Sequence, residues 1–280
     1  MRLPVSVKTI GAAIFALAIL GTVPGSAQAA NGTFCAKYAS GNDVVLLLVD
    51  RTSNGRPDRL RAAAAEARQY LLGQLVGDDL RPDRKKMAGG ALRSGQRLEL
   101  SSIMDNVANR QVFFNDCRPG REASFKSLLE KPLDPTALGQ YDLDYSTEIT
   151  TVLDKALAKA VSARQSAIID TLSKVTGEYP PGTIKRVVIV SDMLDNLTVN
   201  LLPTNGKTRG LTEFQLQEAL RTVAVKNAFA QVKGAEVVVF GFGVDDADRT
   251  PLHPDASRMV TRFWEAYFQR SDAKGLTIKY

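Results

Sequence analysis

The sequence predicts an α/β fold, with a Rossmann-like, mostly parallel central sheet flanked by helices. Three observations carry this. Val44 to Val49 is an unbroken apolar run that ends in Asp50. The theme returns at Lys185 to Asp192 and again at Glu236 to Asp246. Helical patterns fall between the three runs. Short β-rich apolar runs closed by turn residues suit strands buried on both faces, and the helices supply the crossovers that parallel strands need.

The chain has 280 residues. Residues 1–29 read as a secretory signal peptide. Arg2 and Lys8 form a basic start, Ile10 to Val23 is apolar, and Ala27-Gln28-Ala29 offers the small residues a signal peptidase reads. The apolar core, about fourteen residues, is short of the roughly 20 that a bilayer span needs. No stable membrane insertion is expected after cleavage. Residues 30–280 then form a single domain, exported to the periplasm or beyond the cell. Loss of Arg2 and Lys8 lowers the formal charge of +6 by two, to +4. Basic residues are scattered, with Arg84-Lys85-Lys86 the one tight cluster. Nothing resembles an aromatic-laced nucleic-acid surface, so nucleic acid is not an expected partner. The two cysteines, Cys35 and Cys117, both lie in the exported part, and an even count in an oxidising compartment predicts a disulfide between them.

In chain order, Asn31 to Asp43 reads as a polar tether. Pro57 opens a helix on which Leu60, Ala64, Ala67, Leu71 and Leu75 recur, with Gly77 ending it. Asp78 to Gly95 reads as a loop, and Arg97 to Met104 as a strand. Gln111 to Asn115 is a second strand, antiparallel to it because the connection is short. Ala123 to Glu130 suits a short helix and Pro132 to Leu143 a loop. Thr147 to Val175 is the longest helical pattern, capped by Ser146 or Thr147, and weakly apolar enough at Ser162 to Ser166 to be two helices. Thr212 and Gln215 have capping-box spacing before a helix over 212–229. Asp255 to Arg270 carries two stripes, Met259-Phe263-Tyr267 and Val260-Trp264-Phe268. Such a width reads as core, with a partner surface as the alternative. Gly275 to Tyr280 is an edge strand.

Enzyme chemistry finds little footing. An aspartate nucleophile for phosphoryl transfer needs a second carboxylate two residues on, and Thr52 stands there. The single histidine, His253, lies in a loop. Gly241-Phe242-Gly243 lacks the third glycine of a dinucleotide fingerprint.

With its acids ending three buried strands, the chain resembles the von Willebrand factor A family. The residues that carry the resemblance are Val49-Asp50-Arg51-Thr52-Ser53-Asn54, Tyr145-Ser146-Thr147, Val190-Ser191-Asp192-Met193 and Val239-Phe240-Gly241-Phe242-Gly243. They fall in the family's order over the chain from Val44. The resemblance implies a metal site of oxygen ligands at the carboxyl edge of the sheet, completed by a partner's carboxylate. Carried over by position, its ligands are Asp50, Thr52, Thr147 (or Ser146) and Asp192, and its ion is Mg²⁺ or another divalent cation. The pattern departs at Asn54, where a serine is the family ligand, and at Met193, where a glycine is usual. Arg51 adds a positive charge beside Asp50. The alternative for Asp50 and Asp192 is that they cap helices or bind loop amides. The binding face comprises Asn54, Ser146, Asp195 and Asp245 with the ligands. The expected function is an exported protein-binding or assembly module. The alternatives are a metal-dependent hydrolase using the acidic edge, and a metal-independent structural component of an envelope or secretion complex that uses the aromatic last helix.

Overall fold

The computed structural model describes residues 33–39, 41–52, 57–76, 86–120, 134–158, 165–201, 211–245 and 250–279. The signal segment, the 123–130 helix and the Arg84-Lys85 pair lie outside them. Among the described residues no helix is long and apolar enough to cross a membrane.

Strand β1 (Val44–Asp50) is the axis of the molecule, buried along its whole length. Its side chains sort by the two-residue period of a strand. Val44, Leu46 and Leu48 enter one core, and Val45, Leu47 and Val49 enter the other. That sorting requires cover on both faces, so the continuous apolar run marks a central strand. Five more strands complete the sheet: β4 (Arg97–Ile103), β5 (Val112–Cys117), β6 (Ile184–Val190), β7 (Glu236–Phe240) and β10 (Gly275–Lys279). Their order is β10-β7-β6-β1-β4-β5. Every neighbouring pair is parallel except β4 and β5, which run antiparallel as their short connection predicts. The order reverses at β1, with β4 on one side and β6 on the other. This is the topological switch point of a doubly wound sheet.

Helices α2 (Pro57–Leu72) and α3 (Pro135–Ala158) cover one face. Helices α4 (Ile168–Gly177), α5 (Glu213–Val225) and α6 (Pro254–Arg270) cover the other. Alanines 63, 64 and 67 line the inner side of α2 and let it lie close to the sheet. A Cβ on Gly241, after β7, would stand 3.1 Å from that of Ala63, and the residue's φ is +85°. Glycine meets both constraints. Thr212 and Gln215 cap α5 reciprocally, as their spacing predicts.

The structure corrects several boundaries. Helix α2 stops at Leu72 and not at residue 77. Gly73 turns the chain at φ +86° into a hairpin of β2 (Gly73–Val76) and β3 (Lys86–Gly89), where a loop was expected. Leu75, assigned to the helix stripe, lies on β2 and is 55% exposed. Helix α3 begins at Pro135, so the expected loop over 132–143 is mostly helix, and Ser146 and Thr147 sit inside it where neither can cap. The long pattern is indeed two helices, α3 and α4. The third apolar run ends at Phe240, and its tail forms a small hairpin of β8 (Val244–Asp245) with β9 (Thr250–Pro251). The helix capped at Thr212 ends at Val225, short of Phe229.

Both stripes of α6 are core. Trp264 and Phe263 are 0% exposed, and Tyr267 and Phe268 are buried beside them. The indole Nε1–H donates to the Met193 carbonyl at 2.9 Å, so the one polar atom of Trp264 is satisfied. The aromatic rings of the last helix are therefore core, filling the space between α5, the loop after β6 and the sheet.

The expected tether is a short helix, α1 (Thr33–Tyr38), docked on β5. Asp116 accepts from the amides of Phe34, Cys35 and Cys117 at 3.1, 2.7 and 2.7 Å. A carboxylate at a helix start satisfies amides that have no partner within the helix. Phe34 and Tyr38, four residues apart, pack together against Tyr141. The Cys35–Cys117 disulfide is present, closing a separation of 82 residues.

Candidate functional site

Asp50 ends β1 at the switch point and is 1% exposed. Four donors surround its carboxylate. The Thr52 amide and hydroxyl donate to Oδ1 at 2.9 and 2.6 Å. The hydroxyls of Ser166 and Ser191 donate to Oδ2 at 3.0 and 2.8 Å. A buried carboxylate is tolerable when its lone pairs are filled in this way.

Each hydroxyl is brought in by a separate element. Thr52 follows β1 by two residues, so its bond to Asp50 is a local turn. Ser191 follows β6, which lies beside β1 in the sheet. It also accepts from the Met193 amide at 2.9 Å. Ser166 belongs to the stretch before α4 and is strapped across the sheet end. The Ala167 amide donates to the Met104 carbonyl past β4, and the Ser166 amide donates to Asn196 Oδ1 at 2.6 Å. Since β1 lies between β4 and β6, a segment anchored to both must pass over Asp50.

Met193, where the resemblance leads one to expect a glycine, adopts a glycine-like backbone, with φ +64°. For a non-glycine residue this conformation costs on the order of 1–3 kcal/mol. It persists because the surroundings over-determine it. The Met193 side chain is buried in the core, its amide binds Ser191 and its carbonyl binds Trp264.

The other expected site residues separate. Thr147 lies on the exposed side of α3 and its hydroxyl donates to the Leu143 carbonyl at 2.9 Å, so it does not join the buried Asp50 cluster. Ser146 is buried within the same helix, and its carbonyl accepts from the Thr150 hydroxyl. The hydroxyl that reaches Asp50 from the start of a helix is that of Ser166. Asp192 is partly exposed, and its Oδ1 accepts from the Leu194 amide at 2.8 Å, a local turn. Asp245 pairs with Thr250 in the β8–β9 hairpin. Asn54 and Asp246 lie outside the described residues. Arg51 is engaged by residues of the sheet edge at β5. Its guanidinium donates to Gln111 Oε1 at 3.0 Å and lies over the Phe113 ring, with burial lowering its pKa.

Asp195 is not on a binding face, being 0% exposed. Its Oδ2 accepts from the Ile169 amide at 3.0 Å, and its Oδ1 from the amides of Thr198 and Val199 at 2.9 and 3.0 Å. Helix α4 has no side-chain cap of its own, and Asp195 supplies one from the loop after β6. Burial pushes its pKa up to about 6, with the nearby Asp170 adding to the rise and the three amides opposing it. A folded-state pKa above the ordinary carboxylate value means that the folded protein holds this proton more tightly than the unfolded chain. The contribution favours folding at low pH and is lost as pH rises through about 6. A shift of about two units corresponds to about 3 kcal/mol. We expect the stability of the wild type relative to Asp195→Asn to fall by about that amount between pH 4 and 7. Urea unfolding of both proteins across that range checks it, and a pH-independent difference would refute it.

Sequence reasoning missed Ser166 and Ser191 as site residues. Ser191 was visible next to Asp192 at a strand end. Ser166 left only a weak signal, the polar gap in the long helical pattern.

For a metal, the Asp50 cluster offers the right chemistry. One carboxylate and three hydroxyls converge, all oxygen, as a hard divalent cation prefers. Asp50, Thr52, Ser166 and Ser191 would hold it. Among the described residues, the one cluster of three His, Cys, Asp or Glu side chains with metal-ligand spacing is Cys35, Asp116 and Cys117. There both sulfurs are consumed by the disulfide, and Asp116 is occupied with backbone amides. That group is a staple.

Beside the loop that follows β6, a groove of about 380 Å³ runs between Thr198-Val199-Asn200 and α5. Phe214 forms part of its wall and is 74% exposed. No family model, curated protein or solved structure matches this chain.

Proposed function

We propose that this chain is an exported, von Willebrand A-like protein-binding or assembly module, and that its ligand face is the carboxyl edge of the sheet around Asp50. The observation that carries the reading is the Asp50 carboxylate held by the Thr52, Ser166 and Ser191 hydroxyls at the switch point, where α/β sheets bind their ligands. The order of the sequence motifs along the chain supports it. So does Phe214, since a large exposed aromatic beside an open groove is typical of a protein-contact surface. The disulfide is compatible with an oxidising compartment and so with export.

In this reading the cluster binds Mg²⁺ or another divalent cation, and a carboxylate of the protein partner completes its shell. Calorimetric titration of Mg²⁺, Mn²⁺ and Ca²⁺ tests it, with Ser166→Ala and Asp50→Asn as controls shown to be folded by circular dichroism. Saturable binding of at least one cation, weakened tenfold or more in both variants, is expected. Absence of binding by all three cations, or equal binding by the variants, would overturn the metal-dependent reading.

A further inference from the structure

The Ser166 hydroxyl has to be carried to Asp50 from 116 positions away, and it arrives 3.0 Å from Oδ2. Ser166 lies outside α4, whose first residue is Ile168. One residue grips its backbone on both sides. Asn196 Oδ1 accepts from the Ser166 amide at 2.6 Å, and the Asn196 amide donates to the Ser166 carbonyl at 3.4 Å. Asn196 is itself set in a pinned loop. Its neighbour Asp195 is buried, takes the amides of Ile169, Thr198 and Val199 on its carboxylate, and accepts from the Leu201 amide at 2.9 Å on its carbonyl. The consecutive side chains of Asp195 and Asn196 thus take the amides of Ile169 and Ser166, one turn apart at the entry to α4.

We propose that Asn196 is the positioning residue of the Asp50 site: it sets the Ser166 hydroxyl on the carboxylate and so shapes the oxygen cluster for a divalent cation, a role that rests on the cation reading given above. Asn196 touches no atom of Asp50 in this account and acts through Ser166 alone. Its acceptor oxygen is the part that matters. Ser166 is only 7% exposed, so without that oxygen its amide has to turn toward water to stay bonded. The amide and the hydroxyl belong to one residue, and a rotated backbone swings the hydroxyl off Oδ2. A site of this kind works only while its ligands are held close to their productive positions, and the partners that orient ligands matter nearly as much as the ligands. The Ala167 amide, bound to the Met104 carbonyl at 3.0 Å, fixes the following residue and leaves Ser166 to Asn196.

The test uses two variants of the full chain, each shown to be folded by circular dichroism. Asn196→Leu keeps the shape of the side chain without the acceptor, and Asn196→Asp keeps the acceptor. In calorimetric titration of Mg²⁺, Mn²⁺ and Ca²⁺, affinity should fall about tenfold in Asn196→Leu, while Asn196→Asp stays within about threefold of the wild type or binds more tightly. In a Ser166→Ala background the leucine should change affinity by no more than about twofold, because the hydroxyl it displaces is already gone. Thermal unfolding without added cation gives a second readout. Asn196→Leu and Ser166→Ala should each lower the melting temperature, and the double variant should lose less than the sum, since both changes break the same Ser166–Asp50 bond. Full affinity in Asn196→Leu, an equal loss in the leucine and aspartate variants, or melting-temperature losses that simply add would each overturn the role of Asn196. Absence of cation binding by the wild type would overturn the reading of the cluster instead, and the melting-temperature cycle would then decide by itself whether Asn196 positions Ser166.

Discussion

Asp50→Ala is expected to destabilise the protein by about 3–5 kcal/mol, because it leaves several buried donors without their acceptor, at about 1–3 kcal/mol for each that stays unsatisfied. The side chain is fully enclosed and takes four hydrogen bonds from Thr52, Ser166 and Ser191. Alanine would leave three hydroxyls without their acceptor and a void among them. The damage should not stay local, because the carboxylate ties the ends of β1 and β6 to the strap that leads into α4. In a domain of this size the melting temperature should fall by roughly 6–20 °C. Asp50→Asn keeps the shape and one acceptor oxygen but turns an amide donor toward groups that are themselves donors, so a smaller loss is expected. Chemical denaturation of the three proteins checks this ranking. Equal stability of Asp50→Ala and the wild type would mean that the cluster does not hold the loops. The same reasoning selects the controls for cation binding, since an alanine at Asp50 confounds lost binding with lost structure.

Removing the disulfide, by Cys35→Ser with Cys117→Ser, is expected to lower stability by about 4 kcal/mol in the chain-entropy account, given the 82-residue separation. The cross-link restricts the unfolded chain, so most of the effect should appear without any change in the folded core. One local consequence is expected in the native state. Helix α1 is six residues long, too short to persist alone, and is otherwise held by the Asp116 carboxylate and by Phe34 and Tyr38 against Tyr141. Limited proteolysis should therefore cut the double variant within residues 33–39 before it cuts elsewhere. Urea unfolding with intact and removed disulfide measures the first effect. Coincident unfolding curves would show that docking of α1, and not loop closure, accounts for the bond's place in the structure.

The scaffold of this protein is legible in its apolar pattern. The runs at Val44 to Val49, Val187 to Val190 and Val237 to Phe240 are central strands because a strand covered on both faces carries unbroken apolar residues. The capping box at Thr212 and the pairing of Cys35 with Cys117 were also legible, being properties of near neighbours or of a two-cysteine inventory. The width of the α6 stripe marked it as core, which the burial of Phe263 and Trp264 bears out. Which groups meet depends on how the elements pack. Ser166 reaches Asp50 across 116 positions and Ser191 across 141. Thr147, nearer in sequence and better placed in the motif, points away because α3 begins twelve residues earlier than its cap signals suggest and rotates that hydroxyl outward. Asp195 looks like a surface acid beside Asp192, yet three amides draw it into the interior. Hydrophobic period records whether a residue is buried. It carries no record of the partner, which is set by the order of strands in the sheet and by the phase at which each helix starts.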